Sequence, residues 1–151
     1  MAERPVTASA LISFATDLEA RSESFYWELA ASFPEDQAAF AGFAEDCAKS
    51  SKEVLRTYQE TVTDALETGY SLEGLNLDAY GFEMDVPAGT SRAEALTMAL
   101  ELETLAADFY QDVAERSERL LATIPQAFKR AARTRRRRRV ALAALRDGNI
   151  N

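Results

Sequence analysis

Two glutamates, Glu19 and Glu103, occupy equivalent places in two similar stretches of the chain, and each is followed seven residues later by a tyrosine, Tyr26 or Tyr110. A shift of 84 positions lays Ala15 on Ala99, Leu18 on Leu102, Glu19 on Glu103, Phe25 on Phe109 and Tyr26 on Tyr110. Both stretches read Ala-x-x-Leu-Glu-x-x-x-x-x-Phe-Tyr, a repeat at the scale of a helical hairpin. Helical spacing puts Glu19 in line with Ala15, Ser22 and Tyr26, and Glu103 in line with Ala99, Ala106 and Tyr110, so both carboxylates face the interior. Buried carboxylates without partners are costly, and two in matching positions call for a metal, another cation or a shared proton. A position at the edge of the helix face, with the carboxylates reaching water, is the bland alternative.

The candidate cations are arginines. The chain has no histidine, which removes the commonest metal ligand and the commonest general base near neutral pH. Between Phe128 and Arg146 there are nine Lys and Arg (Lys129, Arg130, Arg133, Arg135 to Arg139, Arg146) and no acid. Taking nine from the net charge of −8 leaves −17 on the rest, so the two regions attract each other. Phe128, Ala131, Ala132, Arg135, Arg138, Leu142 and Leu145 follow one helical stripe, which turns Arg135 and Arg138 inward. The spacing thus predicts forked hydrogen bonds from these two guanidiniums to Glu19 and Glu103.

The elements that position these residues are four helices, expected at about 7–32, 34–68, 91–118 and 123–147 within a single domain spanning 1–151. Leu11, Ala15, Leu18, Ser22, Phe25 and Leu29 form the apolar face of the first. Phe40, Phe43, Ala44, Cys47, Val54 and Tyr58 form that of the second, which opens at Pro34 and stops at Gly69. Ser91 and Glu94 have capping-box spacing at the start of the third, and Thr123, Pro125 and Gln126 open the fourth, which ends at Gly148. The stretch 69–90, with Gly69, Gly74, Gly81, Pro87 and Gly89, reads as a long crossover loop. Helices two and four match at an offset of 88, Phe40 on Phe128, Ala44 on Ala132 and Val54 on Leu142. The fold class is all-α, a four-helix bundle of two helical hairpins joined by that crossover.

The phrases ALISFATDLEARSESFYWELA and AEALTMALELETLAADFYQDVAE resemble the first and third helices of the ferritin-like superfamily, above all its rubrerythrin-type domains. In that family each half supplies a Glu and then a Glu-x-x-His, and together these hold two irons. The resemblance implies that Glu19 and Glu103 match the retained ligands and that Tyr26 and Tyr110 match their aromatic partners. It also implies a degenerate di-iron site. FAEDCAKS puts Cys47 and Ser50, and AARTRRRR puts Arg135 and Arg138, where the Glu-x-x-His ligands belong. Guanidinium is always protonated and offers no lone pair to a cation. No resident metal is therefore expected. Iron or manganese is the alternative, held by Glu19 and Glu103 with Glu23 and Cys47 as further candidate ligands.

Other candidates have ordinary readings beside the chemical ones. Cys47 could be a thiolate ligand or redox residue, or a small buried residue where a carboxylate once stood. Glu23, Glu45 and Asp46 read as surface charge, and Trp27 and the Phe and Tyr side chains as packing. The run Arg135 to Arg139 could form an anion or nucleic-acid patch, but consecutive helical residues radiate in all directions, and Arg136, Arg137 and Arg139 are expected to pair with acids of neighbouring helices or a second subunit. The lone cysteine and the lack of an apolar stretch of about 18 residues point to a cytoplasmic protein without a membrane span. The sequence reading is a non-catalytic binding or assembly module, forming a homodimer or engaging a protein partner. The alternatives are a di-iron-type oxidoreductase or iron-handling protein and, second, an anion or nucleic-acid binder.

Overall fold

A computed structural model of the chain describes residues 6–61, 71–72, 76–81, 84–117 and 123–148. The three- and four-residue recurrence of apolar side chains produces four long helices, α1 (Ala8–Ser32), α2 (Gln37–Thr61), α3 (Arg92–Ser117) and α4 (Thr123–Arg146). They form an all-helical bundle whose strand content, among the described residues, is one antiparallel pair of two-residue strands, β1 (Val6–Thr7) and β2 (Ser71–Leu72). No helix among the described residues is long and apolar enough to cross a membrane.

The helix ends follow local chemistry. At the start of α3 the Ser91 amide donates to Glu94 Oε1 and the Glu94 amide to Ser91 Oγ, both at 3.1 Å, which satisfies two otherwise orphaned donors. Beyond α4, Gly148 adopts φ +73°, a left-handed conformation that glycine takes without strain. Pro34 opens a three-residue 3-10 turn, Pro34–Asp36, rather than α2 itself, which begins at Gln37. The turn uses the fixed φ of proline to reverse the chain. The expected end of the second helix at 68 and its stop at Gly69 lie outside the described residues, as does the Tyr58 side chain. The stretch expected as loop carries β2 and a 3-10 helix, Leu77–Tyr80. That helix is capped by Asn76, whose side chain accepts from the Asp78 amide at 3.1 Å, and is fastened to α3 by the Tyr80 hydroxyl donating to Asp112. Elements this short leave no periodic signature.

Helix α1 packs along α2 and α3 along α4, while α2 meets α4 less extensively. Phe25, Phe40, Phe109 and Phe128 are fully buried, and the rings of Phe14 and Phe109 meet at 4.8 Å to join α1 to α3. Each such phenylalanine contributes roughly 1.5–3 kcal/mol of burial, and Phe109→Ala would cost roughly 3–5 kcal/mol. At one end Arg92 donates to buried Asp36 at 2.6 and 3.2 Å and to the Leu145 carbonyl at 3.2 Å. One side chain thereby ties the first turn of α3 to the α1–α2 turn and to the end of α4.

Candidate functional site: a guanidinium between two carboxylates

The apolar stripes of the four helices converge on a polar centre. Glu19 and Ser22 enter from α1, Cys47 from α2, Glu103 from α3, and Arg135 and Arg138 from α4, each at most 3% exposed. Arg135 bridges the two halves, Nη2 donating to Glu19 Oε2 at 2.7 Å and Nη1 to Glu103 Oε2 at 2.9 Å. Its Nη2 also lies 3.1 Å from Ser22 Oγ, which itself donates to the Leu18 carbonyl at 2.7 Å. Arg138 pairs more loosely than expected and, of the two carboxylates, with Glu103 alone. Its Nη1 sits 3.2 Å from Cys47 Sγ and 3.5 Å from Glu103 Oε2, and its guanidinium lies over the rings of Tyr26 and Phe43 at 5.7 and 5.6 Å. The forked pairing thus belongs to Arg135, which takes one carboxylate on each nitrogen, while Arg138 caps the cluster through a sulfur contact and cation–π attraction.

The tyrosines exchange between halves. Tyr26 of α1 donates to Glu103 of α3, and Tyr110 of α3 donates to Glu19 of α1. A local two-fold relation between the repeated stretches requires this reciprocity, because whatever the first does to the second is returned. Two carboxylates facing two guanidiniums leave the centre formally neutral.

The centre holds its protons. Burial, reinforced by the neighbouring glutamates, pushes Tyr26 and Tyr110 well above the ordinary value of 10.0. Burial likewise pushes the Cys47 thiol up to about 12, leaving it a poor nucleophile. Burial alone would favour neutral Arg135, but Glu103 and Glu19 more than reverse it, so its pKa is raised and the group stays cationic. Arg138 is raised as well, with burial again opposed chiefly by Glu103.

These residues do not fit a pair of metal ions. Arg135 and Arg138 present positive charge and no lone pair where ligands would be needed, and Arg135 already uses the Oε2 atoms of both glutamates. Among the described residues no group of three or more His, Cys, Asp or Glu side chains is arranged to hold a metal. Glu23 does not join the centre but accepts from Trp27 Nε1 at 3.2 Å, on the surface of α1. Ser50 is half-buried between α2 and α4, and Glu45 and Asp46 are exposed.

The remaining arginines of the Arg135 to Arg139 run do not take acids of neighbouring helices among the described residues of the chain. Arg136 donates to Gln111 Oε1 at 2.8 Å rather than to an acid, and Arg137 and Arg139 make no ion pair among the described residues. Spacing did not reveal the Asp36–Arg92 clamp, whose partners lie 56 residues apart, or the polar role of Ser22. The buried stripe position of Ser22 was the one available sign. No family model matches the chain, and a comparison with curated proteins finds no similar sequence.

Proposed function

We propose that this chain is a ferritin-like bundle of the rubrerythrin type in which a guanidinium stands where a di-metal centre would be, and that it serves as a non-catalytic binding or assembly module. The observation that carries this reading is Arg135 bridging Glu19 and Glu103 at 2.7 and 2.9 Å, with the equivalent tyrosines crossing over to the same two carboxylates. The repeated Glu supplies two of the six ligands of a symmetric set, each held by the tyrosine of the other half, and the arginines supply the charge that metal would.

The long crossover belongs to the same reading. Arg92, at the start of α3, bonds Asp36 beside the start of α2, so both helices set out from the same end of the bundle. The chain after α2 must then return along a helix of 25 residues, about 37 Å at 1.5 Å per residue. Such a parallel second and third helix is what ferritin-like connectivity requires. The tyrosines, cysteine and arginines of the centre keep their protons at neutral pH, which supports a binding rather than an acid–base role for it.

Metal analysis tests this. Protein produced in iron- and manganese-supplemented medium and purified without chelator is expected to carry far less than one metal per chain. One or two tightly held ions per chain would overturn the proposal.

A further inference from the structure

The α2–α4 seam is less tightly closed than the contacts within either helix pair, and a cavity of about 450 Å3 opens along it, within the range of small-molecule sites. Lys49, Arg137 and Arg138 line it together with Asp46 and Glu53, a formal balance of one positive charge. Lys49 and Arg137 are exposed and make no ion pair among the described residues. Arg138 is buried and commits Nη1 to Cys47 and Glu103, while its Nη2 has no hydrogen-bond partner. That nitrogen is closed to solvent, so Arg138 lends the wall positive potential while the exposed Lys49 and Arg137 supply the donors. Ser50 from α2 and Thr134 from α4 add hydroxyls, and Phe43 adds an aromatic face beneath Arg138. Past Ser50 and Thr134 lies a recess of only about 30 Å3, walled by Glu53, Val54, Ala127, Arg130 and Ala131.

We infer that this seam binds a small organic monocarboxylate. The head would take charge-assisted hydrogen bonds from Arg137 and Lys49, with the buried Arg138 guanidinium lending its charge from behind the wall, and the apolar part would lie against Phe43 and Ala141. Planar carboxylate matches the guanidinium fork. Asp46 and Glu53 leave the wall only one positive charge in excess and repel a dianion or a polyanionic backbone. The inference deepens the reading of the chain as a binding module by giving that module a ligand class, yet the seam keeps its donors whether or not the bundle descends from a metalloprotein.

Calorimetric titration and thermal unfolding of the full chain with sodium benzoate and sodium hexanoate, against sodium chloride at matched ionic strength and against inorganic phosphate, test the site. Saturable binding of at least one carboxylate is expected. Lys49→Ala and Arg137→Ala should each weaken it roughly tenfold, the loss of one charge-assisted hydrogen bond. Both positions are exposed, so the ligand-free melting temperature should stay within about 2 °C. Asp46→Asn with Glu53→Gln should tighten binding. A response no different from sodium chloride, full binding by the Lys49→Ala, Arg137→Ala double variant, or phosphate binding tighter than either carboxylate would overturn the assignment. Metal content is read separately, so loss of this site and loss of the metal-free reading are distinguishable.

Discussion

Replacing Arg135 by alanine withdraws the one group that bonds Glu19 and Glu103 at once, and both carboxylates are at most 1% exposed. Glu103 would keep Arg138 at 3.5 Å and the Tyr26 hydroxyl, whereas Glu19 would keep only Tyr110. Breaking a buried pair in this way costs roughly 3–5 kcal/mol. Proton uptake sets a similar ceiling, because holding one ordinary carboxyl protonated at pH 7 costs roughly 3.7 kcal/mol from a reference value near 4.3. A loss of about 4 kcal/mol in a domain of this length lowers the melting temperature by roughly 8–16 °C. The sign of the pH response follows. In the variant a group favours its protonated form more when folded than when unfolded, so stability is greatest at low pH and declines as pH rises. Thermal unfolding by far-UV circular dichroism at pH 5, 6 and 7 should show the deficit of Arg135→Ala shrinking by about 1.4 kcal/mol per pH unit toward acid. Arg135→Leu combined with Glu19→Gln and Glu103→Gln should recover most of the loss, since no charge is then stranded. A melting temperature within about 2 °C of the parent, or a deficit independent of pH, would refute the reasoning.

Tyr26→Phe and Tyr110→Phe should each cost roughly 1.5–3 kcal/mol in urea denaturation, because each removes a hydrogen bond to a charged acceptor, and the symmetry of the centre makes the two losses similar. Alkaline titration should destabilise the parent protein. The Cys47 thiol and the Tyr26 and Tyr110 hydroxyls have folded values raised above their ordinary 9.0 and 10.0, so stability is full below about pH 9 and falls above it. Denaturation curves from pH 7 to 11 check this, and a flat profile would contradict it. Arg92→Ala should cost roughly 2–3 kcal/mol by leaving Asp36 buried without its partner, with amide exchange accelerated at the adjoining ends of α2, α3 and α4. A thiol reagent at pH 8 should modify Cys47 only after unfolding, as judged by absorbance of the released chromophore.

The parts of the fold that rest on period were legible in the sequence. Leu11, Ala15, Leu18, Ser22, Phe25 and Leu29 share one face of α1 and all are buried, because a stripe at three- and four-residue steps can satisfy itself only by facing a core. The same stripe logic placed Arg135 and Arg138 inward, and an offset of 84 residues linked Glu19 to Glu103. What spacing did not carry is which partner each inward group takes. A cross-half exchange between Tyr26 and Glu103 depends on how two helices far apart in the chain are set against each other, and neither helix encodes that alone. The division of labour between Arg135 and Arg138 depends likewise on the Phe43 and Tyr26 rings, which hold the Arg138 guanidinium beside Cys47. The Asp36–Arg92 clamp and the Tyr80–Asp112 bond were equally invisible, since both join short or irregular segments to distant helices.

Anomalous scattering from crystals of the protein grown with excess ferrous or manganous salt addresses the centre of the bundle directly. The expected result is planar guanidinium density for Arg135 between Glu19 and Glu103, with no anomalous peak there. A metal peak coordinated by both glutamates, with the Arg135 side chain turned away from them, would contradict the account.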